Sequence, residues 1–291
     1  MSPDGSRAAP AGRRQTAVGR LGLTLRGDGP VTRLVDLDQA APLRALFPHP
    51  VPGEPLTACV TNTAGGLVAG DVLGLSVTLG GGARAMVMAQ AAEKVYRSGT
   101  GAEAKVTVRL AAGPESWLEW LPRETIVFDR ARLRRETALD LDPTARMLTG
   151  EILVLGRRAH GEVLSRGLIR DAWRVSIGAH LVWADALHLE GDLARARLAP
   201  AGFAGAEALA TLIARLPGVA GGEAALTDDI RTRLETHDTV RAGSTTINGI
   251  VISRILSHTA EAARDAFADV WGLLRQAGGG YAATLPRLWS I

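Results

Sequence analysis

The sequence predicts a mainly β fold: layered β-sheets, arranged as a sandwich or a β-helix-like coil, with a few helices in the C-terminal third. Three observations carry that expectation. Apolar and polar residues alternate in many segments between Val18 and Asp192, the pattern of strands buried on one face. Gly or Pro separates these segments at Gly80-Gly81-Gly82, Gly113-Pro114, Asp142-Pro143, Gly156 and Gly178, where a chain readily reverses. After Asp192 the texture changes to Ala- and Leu-rich runs. No fixed-period repeat is visible.

Taken in order, Met1 to Arg20 is rich in Pro, Gly, Ala and Arg. Residues 1–16 are expected to form a disordered tail, and 17–291 one domain. Leu21, Leu23 and Leu25 alternate with Gly22, Thr24 and Arg26. Thr61 to Asp71 packs Gly65, Gly66 and Gly70 into a short stretch, so it reads as a tight connection where backbone approaches backbone. Gly65 and Gly70 have the spacing of a phosphate-binding loop, but Asp71 and Val72 stand where Lys and Ser or Thr belong. A strand pattern follows at Val72–Leu79 instead of a helix.

Lys105–Leu110, Thr137–Leu141, Met147–Leu155, Leu168–Ile177 and His180–Leu189 read as further strands. Glu207–Leu216 reads as a helix stopped by Pro217, and Leu216–Gly222 and Arg241–Thr246 read as loops. Gly249–Leu256 is a strand pattern. Thr259–Gln276 is the strongest helix: Ala263, Phe267, Val270, Trp271 and Leu274 form one stripe. Glu261, Arg264, Asp265 and Arg275 lie largely off that stripe, and Gly278-Gly279-Gly280 ends the helix. The tail Leu285–Trp289 is apolar enough to dock on something.

Composition excludes several classes of function. The formal charge is only +3, and the basic residues are scattered, which argues against nucleic-acid binding. Arg13-Arg14 resembles the start of a twin-arginine signal, but no apolar segment follows and no run is long enough for a membrane span. The one cysteine, Cys59, excludes an intramolecular disulfide and a Cys-rich metal site. A reducing, cytoplasmic setting is expected, without membrane association.

Six histidines are present, and none pair at helical metal-ligand spacing. His180 and His188 share a strand face, but at ~3.3 Å per residue they are roughly 26 Å apart, too far for one ion. The acids say more. Glu151 shares its strand face with Met147, Leu153 and Leu155, and Asp185 with Leu181, Trp183, Leu187 and Leu189. A carboxylate on an apolar face is costly unless it is paired, hydrated or bound to a cation. Glu93, Glu119, Glu124 and Asp129 sit in similar company. An outward or Arg-paired position is the ordinary reading for any single acid; together they point to polar cavities. Paired carboxylates on a β scaffold also fit a hydrolase, and a ligand-binding β module is a third reading. Lys94 has no second feature to mark it as a nucleophile.

Several stretches resemble one known family. Asn62–Asp71 resembles the glycine-rich signature of the urease accessory protein UreD family, also called UreH. Ala41–Pro48 is similar to that family's early Pro-Leu segment. Gln90–Ser98, Leu118–Phe128, Gly156–Glu162 and Leu285–Trp289 match further signatures, so the likeness runs from about Gly19 to Trp289. Arg123 departs from the family, where many members carry Gln. The resemblance implies a non-enzymatic chaperone built of layered sheets. It would bind urease apoprotein together with the helical protein UreF and the GTPase UreG, and help deliver nickel to the urease active site. It implies no permanently bound cofactor, only nickel in transit through the protein. Oxygen ligands hold nickel weakly enough to release it. Glu151 and Asp185 are the leading candidates for such a route; Asp71, Glu93 and Glu124 follow from the signatures.

Overall fold

Leu21, Leu23 and Leu25, the first alternating triplet, are all buried, and they set the inner face of the first of two sheets. The computed structural model describes residues 16–289; the tail expected at residues 1–16 falls almost entirely outside them. In chain order the first strands are β1 (Val18–Asp28), β2 (Val31–Ala40), β3 (Leu43–Leu46), β4 (Leu56–Asn62), β5 (Val72–Leu79) and β6 (Arg84–Ala89). There follow β7 (Glu93–Val95), β8 (Ala104–Ala112), β9 (Trp117–Leu121), β10 (Thr125–Val127), β11 (Arg132–Leu141) and β12 (Arg146–Leu155). Then come β13 (Arg166–Ile177), β14 (His180–Asp192), α1 (Leu193–Leu198), β15 (Ala208–Arg215) and α2 (Gly222–Leu234). β16 (Val240–Ile247), β17 (Ile250–Ser257) and α3 (Ala260–Gly279) follow.

The seven-stranded sheet runs β14-β13-β11-β8-β5-β1-β2. The ten-stranded sheet runs β16-β17-β15-β12-β9-β6-β4-β3, with β10 beside β12 and β7 beside β10. From β4 to β13 the chain winds between the sheets, adding parallel strands to each, with the short β7 and β10 following β6 and β9 within the ten-stranded sheet. The fold is thus mainly β and layered, with β-helix-like coils. Val72 lies beside Lys105, Lys105 beside Arg134, and Arg134 beside Arg170. These unequal steps explain why no fixed period is visible in the sequence.

The two sheets enclose one apolar core, with Leu21, Leu75, Leu110, Leu133, Trp173 and Leu153 among its members. A second core lies on the far face of the ten-stranded sheet, under α2 and α3. Phe267, Val270, Trp271 and Leu274 of the predicted stripe are all buried there. Thr259 caps α3 by accepting the Ala262 N–H, and Gly280 ends it in the left-handed conformation. Gly150 allows the close approach: a Cβ there would lie 2.5 Å from the Thr211 carbonyl oxygen and 2.8 Å from the Phe267 ring. The apolar tail does dock, with Trp289 buried in this core.

Three local expectations fail. The Glu207–Leu216 run is strand β15, not a helix. It lies between β12 and β17, covered by the first sheet on one face and α3 on the other, so both faces are apolar and alternation is lost. Arg241–Thr246, read as a loop, belongs to edge strand β16, whose side chains are mostly exposed. Arg275, read as lying off the buried stripe, is buried, because a carboxylate waits for it in the sheet below.

Candidate functional site

A polar layer crosses the apolar core between the sheets. Arg135 enters from β11, in register beside Asp171 of β13. Its Nε donates to Asp171 Oδ1 at 3.0 Å, and its Nη1 donates to Thr125 Oγ1 at 3.0 Å. Nη2 donates to both Asp171 and Glu151. Glu151 comes from β12 of the opposite sheet, so one guanidinium ties two carboxylates across the core. The Trp173 indole N–H donates to Glu151 Oε1 at 3.2 Å. Arg135, Glu151, Thr125 and Trp173 line a cavity of about 240 Å³. Both acids are buried, and a buried charge persists only when paired in this way.

Glu93, predicted from the second signature, lines the same cavity. It accepts from Asn62 Nδ2 at 3.0 and 3.2 Å and lies in register beside Thr125. In the other direction the layer follows strand register. Glu151 pairs with Thr211 of β15, and Thr211 with Arg254 of β17. Arg254 reaches across to Asp185 of β14. That last pair stands at the open edge of the two sheets, with side chains 50% and 36% exposed. Asp185 is therefore the outer end of the layer instead of a member of the cavity.

Asp71 and Glu124 are placed elsewhere. Asp71 is buried in the glycine-rich turn, where it accepts from the backbone N–H of Ala17 at 2.7 Å and of Val68 at 2.9 Å. Gly65, Gly66 and Gly70 there have positive φ, and a Cβ on Gly66 would lie 2.6 Å from the Lys94 carbonyl oxygen. Glu124 faces α3, held by Arg123 at 3.2 Å and Arg264 at 3.1 Å. Arg135 and Asp171, at the centre of the layer, were not singled out by sequence reasoning. Their signal was present: Asp171 shares its face with Ile169, Trp173 and Val175, and Arg135 with Leu133 and Leu139, all buried.

Cys59 is buried, and burial pushes its thiol pKa up, which makes it a poor nucleophile. Among the described residues, no three His, Cys, Asp or Glu side chains gather in a geometry that holds a metal ion. No described helix is long and apolar enough to cross a membrane.

The fold and the cavity define a class: a coiled two-sheet β protein that encloses a carboxylate-lined space. The chain belongs to the UreD urease accessory protein family, whose profile matches residues 16–290. It is 42% identical to the urease accessory protein UreD of Magnetococcus marinus (strain ATCC BAA-1437 / JCM 17883 / MC-1), over 89% of each chain. It is 41% identical to urease accessory protein UreD 2 of Methylorubrum populi (strain ATCC BAA-705 / NCIMB 13946 / BJ001), over 97% of this chain and 93% of that one. The UreD of Xanthobacter autotrophicus (strain ATCC BAA-1158 / Py2) is 41% identical over 95% of this chain and 91% of its own. Membership of the family supports a role in urease maturation.

Proposed function

We propose that this chain is a maturation chaperone without turnover of its own, working in the cytoplasm. It binds urease apoprotein together with UreF and the GTPase UreG, and lets nickel cross between its sheets toward the urease site. The observation that supports this reading is the polar layer through an otherwise apolar core, from Asn62 and Glu93, past Glu151 and Asp171, to Asp185 at the open edge. Carboxylate and hydroxyl oxygens, completed by waters, suit an ion that must move on. Glu93, Glu151 and Asp185 serve the route, while Asp71 and Glu124 hold the frame around it. The hydrolase reading is weaker, because Glu151 and Asp171 share one guanidinium and leave no free acid and base.

The test changes Glu151 to Gln and Asp185 to Asn, singly and together. Each variant is first checked for assembly with its partners, and nickel per urease site is then measured. Loss of loading with intact assembly is expected. Full loading in both variants and in the double variant would remove the route.

A further inference from the structure

We propose that Arg135 is a charge gate on this route, a resident cation that a passing dication must displace and that afterwards displaces it in turn. The proposal rests on the passage reading above and adds a regulator to it. Three facts carry it. First, the guanidinium stands between Glu151 and Asp171, one carboxylate from each sheet, in the position a bridging cation would occupy. Second, the charges match a swap. One guanidinium against two carboxylates leaves the cluster with a net charge of −1, one positive charge short of neutrality. A divalent cation in its place neutralises the pair, whereas a monovalent cation changes nothing. The cluster therefore discriminates by charge while the competing guanidinium keeps the affinity low, which a carrier needs. Third, Arg135 has room to leave, because it borders a cavity of about 240 Å³ that also contains Glu93. A guanidinium sealed into a packed core has no such freedom. Thr149, two residues before Glu151 on the same strand face, carries a buried hydroxyl with no hydrogen-bond partner among the described residues. It adds an uncommitted oxygen to the layer.

Without the gate, the carboxylate pair should hold a dication instead of passing it on. The experiment uses the chain in complex with UreF, without the GTPase, and Ni²⁺ alone as the probe in equilibrium dialysis. Arg135→Gln is expected to retain about one more Ni²⁺ per chain than the unaltered protein, at least tenfold more tightly, and to slow loading of apo-urease. The double change Arg135→Gln with Asp171→Asn restores the native net charge and is expected to lose the extra ion, which separates the effect from general damage to the fold. Where the single Gln variant fails to assemble, Arg135→Lys decides. A lone ammonium keeps the charge but cannot make all the bonds of the planar fork, so retention between the two extremes is expected. Unchanged retention in the Gln variant, or in the Lys variant where that one decides, overturns the gate. If Glu151→Gln still blocks loading in that case, the route survives without its gate. If Arg135→Gln traps nickel while Glu151→Gln loads fully, the site lies off the route and both the gate and this stretch of the passage fall.

Discussion

Two clusters with the same charges sit on opposite faces of the ten-stranded sheet. On the inner face, Arg135 meets Glu151 and Asp171. On the outer face, under α3, Arg275 meets Glu119 and Glu54. Each holds one guanidinium, two carboxylates and at least one indole N–H. The outer cluster is saturated. Glu119, 0% exposed, accepts from Trp117 and Trp271 at 2.9 Å each and from Arg275 at 2.9 and 3.1 Å. Arg275 also donates to the carbonyls of Ala282 and Thr284 at 2.8 and 3.1 Å, which pins the C-terminal tail to the sheet. Neither Arg275 nor Glu119 borders the cavity that Arg135 and Glu151 line. The same chemistry thus pins the C-terminal tail on one face of the sheet and borders open space on the other. Burial pushes the Glu119 carboxyl pKa up, against the pull of Arg275 and the two indoles.

The largest effect should separate the two. Arg275→Met strands a fully buried carboxylate and frees the tail, so a loss of about 3–5 kcal/mol is expected in denaturant unfolding. Residues 282–289 should become open to protease at the same time. Replacing both Arg275 and Glu119 by Met should recover most of that loss, because a packed apolar pair can stand in for a buried ion pair. Glu151→Gln keeps the shape and borders the cavity, so its cost should be only about 1–3 kcal/mol. Equal costs at Arg275 and Glu151 would mean that the inner cluster is a fastening as well, and the comparison would fail.

How much of this was legible in the sequence follows from the same geometry. β1, β5 and β8 face one core and one exposed surface, so their alternation shows. β15 is covered on both faces, and its Ala-Leu run passed for a helix. Arg275 looked solvated because its partner Glu119 lies 156 residues away in sequence. Glu151 stood out by its apolar strand-mates. Arg135 and Asp171 are separated by 36 positions and joined only by the coil that brings β11 beside β13. A run of residues shows that an acid sits on an apolar face; it does not show which distant arginine meets it there.

A middle-sized effect tests whether the acids near the glycine-rich turn belong with the fastenings. Asp71 satisfies two backbone N–H groups and does not line the cavity. Asp71→Ala should cost about 1–3 kcal/mol through those two unpaired donors, read as a lower midpoint in thermal or denaturant unfolding. Nickel per urease site should be unchanged in the fraction that assembles. A loss of loading without a loss of stability would move Asp71 from the frame to the route.

The smallest effect concerns an acid outside both clusters. Asp129 accepts from the Ser165 backbone N–H and hydroxyl at 2.7 Å each, and from the Arg166 N–H at 3.1 Å. Burial alone would raise its pKa, but these donors and nearby Arg130 outweigh it and hold the carboxyl below the usual range. A carboxyl whose folded pKa is depressed adds stability above its unfolded pKa of about 3.9. That contribution fades as pH falls through this value toward the folded one. Asp129→Asn removes the charge at every pH, so it should cost about 1–2 kcal/mol at pH 7 and progressively less toward pH 3. The gap between the two stability curves should narrow in that direction. Unfolding midpoints at pH 7, 5, 4 and 3 decide it: parallel curves would show that Asp129 works through shape and not charge, whereas a narrowing gap marks an ionised acid committed to the frame.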